Sequence, residues 1–237
     1  MQSCVKFGTR IIKYDVSHKD RKTMEISVEP PDKVFVIAPC GTDEKIIQKK
    51  VKSKGSWIVQ KLFTFKSMEY RKIQREFVNG ESFMYLGRNY SLQIHINDKI
   101  KNADVKLYRG KFYVTLQKKD EKLIKNAMKN WYREKTSEKV MERIKYYEHF
   151  FRKKTTGVKV RDQQKRWASC TSTNELLFNW RCVMAPSHVL DYIVVHEMCH
   201  MYYKNHSNEF WDMISNVLHD YERRKEWLKN YGVRMDL

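Results

Sequence analysis

The chain has 237 residues, of which 47 are Lys or Arg and 28 are Asp or Glu, a formal net charge of +19. That length supports one large domain or two modest ones with a core of their own, which excludes a mini-protein dependent on disulfide or metal staples. With 41% hydrophobic and 13% aromatic residues it is too rich in rings to be disordered. It also lacks the run of roughly 20 apolar residues that a membrane span requires.

Met24, Ile26 and Val28 alternate with polar residues, and Val34 to Ala38 follows Pro30-Pro31-Asp32, so this stretch reads as a hairpin. Thr42 is a plausible cap for a helix carrying Ile46, Ile47 and Val51 up to Gly55, and a second helix carries Trp57, Ile58, Leu62 and Phe63. Residues 83–86, 90–96, 105–108 and 112–116 then read as the strands of a small antiparallel sheet, separated by Gly87, Asn97-Asp98 and Gly110.

From Lys118 to Arg152 neither Gly nor Pro interrupts the chain, and Ile124, Met128, Trp131, Val140, Ile144 and Tyr147 recur at helical spacing. One long helix is expected here, or two with a bend near Ser137. Residues 118–166 carry 17 basic and 7 acidic side chains, whereas residues 201–237 carry 6 of each. A concentrated positive field attracts phosphate groups, so nucleic acid and nucleotides enter as possible partners, beside the alternative of a plain solvated face. Residues 158–160, 166–170 and 176–183 read as strands of one meander. No internal repeat or low-complexity linker is legible.

Pro186-Ser187 starts a helix that runs through Val189, Leu190, Ile193 and Val194 into His196-Glu197-Met198-Cys199-His200, a His-Glu-x-x-His motif. One helical turn separates His196 from His200, so both imidazoles project from one face and can share a tetrahedral Zn²⁺. Glu197 is rotated by about 100°, beside such a metal, where a carboxylate can serve as general acid and base in hydrolysis. A catalytic zinc needs a third protein ligand. His206 leads by its spacing, with Asn205 able to cap the helix end in a left-handed conformation and Ser207 able to cap the next helix. The ten-residue offset from His196 also occurs in the metzincin pattern, although Tyr203 stands where that pattern has Gly. Glu209, Asp212 and His219 are rivals. Cys199 reads as a buried thiol. The five cysteines, odd in number and without a Cys-x-x-Cys pair, read as free. His18, His95, His149 and His188 have no partner spacing.

The run Lys165-Arg166-Trp167-Ala168-Ser169-Cys170, then Leu177-Phe178-Asn179-Trp180-Arg181, Ala185-Pro186, Val189 through His200, and Asn205-His206-Ser207 with Phe210-Trp211 resembles the YgjP-like metallopeptidase family. Its departures are Ala168, where the family usually has Gly, and residues 118–154, which carry little distinctive sequence to match. The resemblance implies a zincin-type region with a sheet packed on the motif helix, zinc held by His196, His200 and His206, and Glu197 as the base. A broader similarity to SprT-like proteases is analogy at the level of fold. Arg166, Trp167 and Ser169 are the candidates for contact with substrate, Arg166 to Cys170 being a strand that could pair with an extended peptide. Against this stands a purely structural role for the rings of Trp167, Phe178 and Trp180.

The expected architecture is therefore α+β: a β-rich amino-terminal region over residues 1–117, then a basic helix and a zincin-like catalytic region over residues 118–237, with a soft boundary. The expected activity is that of an intracellular, cytoplasmic zinc metallopeptidase acting on protein or peptide. Alternatives are zinc-dependent hydrolysis of nucleoside triphosphates and a nucleic-acid-associated module with structural zinc.

Overall fold

The computed structural model describes residues 2–29, 32–67 and 75–237. The chain is α+β and forms two compact units, Met1–Lys72 and Ile73–Leu237. Among the described residues no helix is long and apolar enough to cross a membrane.

In the first unit, β1 (Gln2–Phe7), β2 (Arg10–Lys19), β3 (Glu25–Glu29) and β4 (Lys33–Pro39) form a sheet in the order β1-β2-β4-β3. The expected hairpin is β3 and β4, with Val28 facing Val34; Pro30 and Pro31 of its turn lie outside the described residues. Ile12, Tyr14 and Val16 on β2 and Val34, Val36 and Ala38 on β4 alternate inward, as the period of two requires. They meet Ile47 and Val51 of α1 (Glu44–Ser53) and Ile58 of α2 (Gly55–Ser67). Asp43 rather than Thr42 caps α1, accepting from the Lys45 amide, while Thr42 Oγ1 donates to the Pro39 carbonyl. Gly55 opens α2 instead of ending α1; a Cβ there would stand 2.2 Å from the Phe7 ring.

In the second unit, β5 (Ser82–Tyr85), β6 (Arg88–Ile96), β7 (Asp104–Tyr108) and β8 (Lys111–Leu116) form a sheet in the order β5-β6-β8-β7. The expectation of an all-antiparallel sheet fails at its centre, where β6 and β8 run parallel because two hairpins lie side by side. This is the topology of the first sheet repeated. In both, the central parallel strands pair at the same sequence offset, Val16 facing Val36 and Leu92 facing Phe112. The repetition resides in backbone pairing and inward apolar alternation, and so escaped a reading for repeated residues.

The next element, α3 (Glu121–Tyr147), is one unbroken helix capped by Asp120, which accepts from the Leu123 amide. Its buried stripe contains Ile124, Met128, Trp131, Val140, Ile144 and Tyr147, as the spacing predicts. Of the two expected readings, one long helix holds, rather than two helices meeting near Ser137. Thr136, fully buried, donates its hydroxyl to the Trp180 carbonyl at 2.7 Å. Trp131 packs edge-on against Phe112 of β8 and Tyr85 of β5, so the second sheet and α3 share one core.

A third sheet comprises β9 (Gly157–Arg161), β10 (Ala168–Cys170) and β11 (Glu175–Asn179) in the order β10-β11-β9. It is mixed rather than a meander, since β11 runs antiparallel to β10 but parallel to β9. The Asn179 side chain holds the crossing segment by donating from Nδ2 to the carbonyls of Gln163 and Arg166. Residues 180–183, expected to continue the strand, lie instead in a 3-10 turn, Trp180–Met184. Then come α4 (Ser187–Cys199), α5 (Asn208–Val217) and α6 (Tyr221–Tyr231). α4 is buried on nearly all sides, and its Asp191 is met by the Arg143 guanidinium through Nε and Nη2. Burying an acid is costly unless it is paired in this way.

Candidate metal centre

His196 lies in the last turn of α4 and His200 caps its end. The Tyr203 amide still bonds to the Cys199 carbonyl, after which the chain turns through Lys204 and Asn205 and restarts at Asn208 with Ser207 as N-cap. Ser207 takes the cap position without a side-chain hydrogen bond, and Asn205 does not adopt a positive φ. The turn is held from outside instead. Lys204 Nζ donates to the Thr171 carbonyl at 3.0 Å and to Asn174 Oδ1 at 3.2 Å, while Lys153 Nζ donates to the Met201 carbonyl at 2.9 Å. This returns His206 to the face of α4.

His196, His200 and His206 thereby form a cluster that could hold a metal ion, with one ligand atom of each within 4.8 Å of the others. His196 Nε2 and His206 Nε2 are 3.1 Å apart, close to the separation of about 3.3 Å that two nitrogens show around tetrahedral zinc. His200 Nδ1 donates to the Tyr203 carbonyl at 2.8 Å, which fixes the tautomer and leaves the Nε2 lone pair free. Tyr192 Oη lies 3.4 Å from His196 Nδ1. Such outer partners are what orient metal-binding imidazoles. Burial, reinforced by the other two histidines and Lys225, pushes the His196 pKa down to about 3. Burial and the charges of His200 and Lys225 also lower that of His206. Neutral imidazoles are the form that binds metal.

His206, the exposed member of the cluster, is oriented by rings. Trp211 stacks on it at 5.5 Å and 22°, Tyr221 in turn stacks on Trp211 at 5.5 Å and 18°, and Phe210 meets His206 edge-on at 4.8 Å. Lys225 Nζ sits 3.9 Å from the Trp211 ring centroid. The sequence marked Trp211 as part of the family resemblance but gave it no role at the metal site. α6, which supplies Tyr221 and Lys225, carried no signal in that reading.

Glu197 is 5% exposed, and its Oε2 has no hydrogen-bond partner. Burial pushes its pKa up to about 8, against the opposing charge of Arg166. It borders two clefts beside the histidines. One, of about 310 Å³, includes Arg166, Ser169, Cys170 and Lys204. The other, of about 250 Å³, includes Arg166, Trp167, Tyr192, Ile193 and Leu228. All three residues suggested for substrate contact therefore line a cleft at the cluster. The rivals Glu209, Asp212 and His219 are outside the cluster, as are His18, His95, His149 and His188. Cys199 is fully buried, with burial raising its thiol pKa to about 12.

A search of curated proteins found no match. The family profile described as YgjP-like, metallopeptidase domain, matches residues 22–231. With most of its length under that profile, and with three histidines gathered as a metal site requires, the chain belongs to the YgjP-like metallopeptidase family.

Proposed function

We propose that this protein is a zinc metallopeptidase in which His196, His200 and His206 hold the ion and Glu197 is the general base. The observation that carries this reading is the buried Glu197 carboxylate, whose Oε2 has no partner beside the three-histidine cluster. A buried acid with no structural bond to make is costly to keep, and a base that must receive a proton needs a free oxygen. The donor set fits zinc, with three neutral nitrogens and room on the cleft side for an open position. When bound, zinc supplies Lewis acidity toward a carbonyl oxygen and acidifies water.

Glu197 takes the proton of the attacking water and returns it to the departing amine, so the carboxyl is regenerated in each turnover. Burial raises the pKa of this carboxyl above the usual carboxylate range, which makes it a stronger base than an exposed glutamate. β10 is an edge strand whose residues line the cleft, and it offers free backbone groups with which an extended substrate can pair.

The test is incubation of metal-verified protein and its Glu197→Gln variant with unfolded proteins and, separately, with nucleoside triphosphates, followed by mass. Cuts in polypeptide made by the parent and lost in a variant that retains zinc are the expected result. Polypeptide left intact while triphosphate disappears would overturn the peptidase reading.

A further inference from the structure

The cleft of about 250 Å³ on the Trp167 side of Glu197 differs in kind from its neighbour. Its walls are the Trp167 ring before β10, Tyr192 and Ile193 on α4, and Leu228 on α6, with His196 and Glu197 at one end. Apart from those two and Arg166, nothing charged lines it among the described residues. Its volume is below the roughly 300–1,000 Å³ of pockets that enclose a drug-sized ligand, and it suits one large side chain. The Trp167 ring is packed against Gly232, where a Cβ would lie 2.7 Å from Cζ2. Arg166 lines the same cleft and forms no ion pair among the described residues.

We propose that this cleft is a specificity pocket for a bulky apolar side chain, such as Phe, Leu or Met, at one of the two positions flanking the cleaved bond, and that Arg166 at its edge rejects Lys and Arg there. The inference rests on the peptidase reading and adds the substrate class. Apolar walls reward each buried carbon, and one methylene in such a pocket is worth about 10-fold to 200-fold in kcat/KM. With Glu197 committed to the reacting water, a substrate ammonium would meet a dry wall and the like charge of Arg166, a combination that discriminates by repulsion.

Two arms test this. In the first, zinc-loaded protein digests a peptide library and the residues flanking each cut are read by mass. Phe, Leu or Met should be favoured over Ala by at least about tenfold at one flanking position, with Lys and Arg depleted. Leu228→Trp, which fills the pocket, should shift that position toward Ala and Ser. Leu228→Ala should admit Trp, and Arg166→Ala should restore cleavage beside Lys. The second arm needs no turnover: zinc-loaded Glu197→Gln protein is titrated with a Phe-containing pentapeptide and its Ala counterpart, and tighter binding of the Phe peptide, weakened in Leu228→Trp, is expected. Cuts without side-chain preference, a preference indifferent to all three substitutions, or equal binding of the two peptides would overturn the pocket. Absence of Glu197-dependent cuts beside selective Phe binding would instead refute the peptidase reading and leave the pocket standing.

Discussion

Gly87 lies against Pro186, so that a Cβ on the glycine would stand 2.8 Å from Pro186 Cγ and 2.9 Å from its Cα. Leu86 and Gly87 are the two loop residues of the β5–β6 hairpin, both at positive φ, the pattern of a type I′ turn. Their amides donate to the carbonyls of Val183 and Met184, at 2.8 and 3.0 Å. The hairpin tip is thereby bonded to the segment that opens α4, and α4 carries His196, Glu197 and His200. Gly87→Ala adds left-handed strain of about 1–2 kcal/mol and a collision with backbone. It should destabilise the second unit by about 2–4 kcal/mol. Denaturation followed by tryptophan fluorescence reports that unit, since five of the six tryptophans lie in it. A loss below about 0.5 kcal/mol, the ordinary range of a surface change, would show that the contact is not what seats α4.

Trp211 holds His206 by stacking, because His206 has no hydrogen bond to an outer partner among the described residues and relies on the rings beside it. Trp211→Ala should weaken zinc binding about 10-fold to 100-fold, the usual cost of losing an outer-shell partner. Trp211→Phe, which keeps a ring, should recover most of it. Competition with a chromogenic chelator measures both constants, and circular dichroism confirms the fold. Equal affinity in Trp211→Ala and the parent would mean that Phe210 alone orients the ligand.

The two regimes of legibility separate here. His196, Glu197 and His200 were readable because helix geometry alone places them, and His206 because a short return leaves few places for a ligand. The inward alternation of β4 and the stripe of α3 were readable for the same local reason. Trp211, Tyr221 and Lys204 were not, since their roles depend on which elements meet after a turn. Strand direction was hidden too: the apolar alternation of Leu92 and Phe112 is the same whether β6 and β8 run parallel or antiparallel. Leu86 is the sharpest case. A leucine at positive φ gives no turn signal, and it is tolerated because its side chain packs into the surrounding core while its amide is bonded.

Asp162 ties α3 to the start of the 3-10 turn before α4. Burial would raise its pKa, but bonds from Lys129, Arg181 and the Trp180 Nε1–H outweigh burial and hold the carboxyl well below the usual carboxylate range. A depressed folded pKa contributes stability that is fully present above the unfolded value of about 3.9 and is lost as pH falls through the folded one. Asp162→Asn should therefore cost about 1–2 kcal/mol at pH 7, screening by water included. The gap to the parent should narrow only below about pH 4. Urea midpoints from pH 7 to pH 3 test the sign, and a gap that widens on acidification would contradict it.

Thr136 secures the same junction from inside the core. Its hydroxyl donates to the Trp180 carbonyl at 2.7 Å, and the residue is fully buried. Valine has nearly the same shape but leaves that carbonyl without its donor, so Thr136→Val should destabilise by about 1–3 kcal/mol despite its greater apolarity. Serine keeps the donor and loses a methyl group, and should cost about 1 kcal/mol through the small void it leaves. The order of the two variants is the diagnostic. If burial of apolar surface governed this position, valine would match or exceed the parent. Serine falling below valine in the urea midpoint would therefore show that packing, and not the bond to Trp180, locks α3 to the turn that leads into α4.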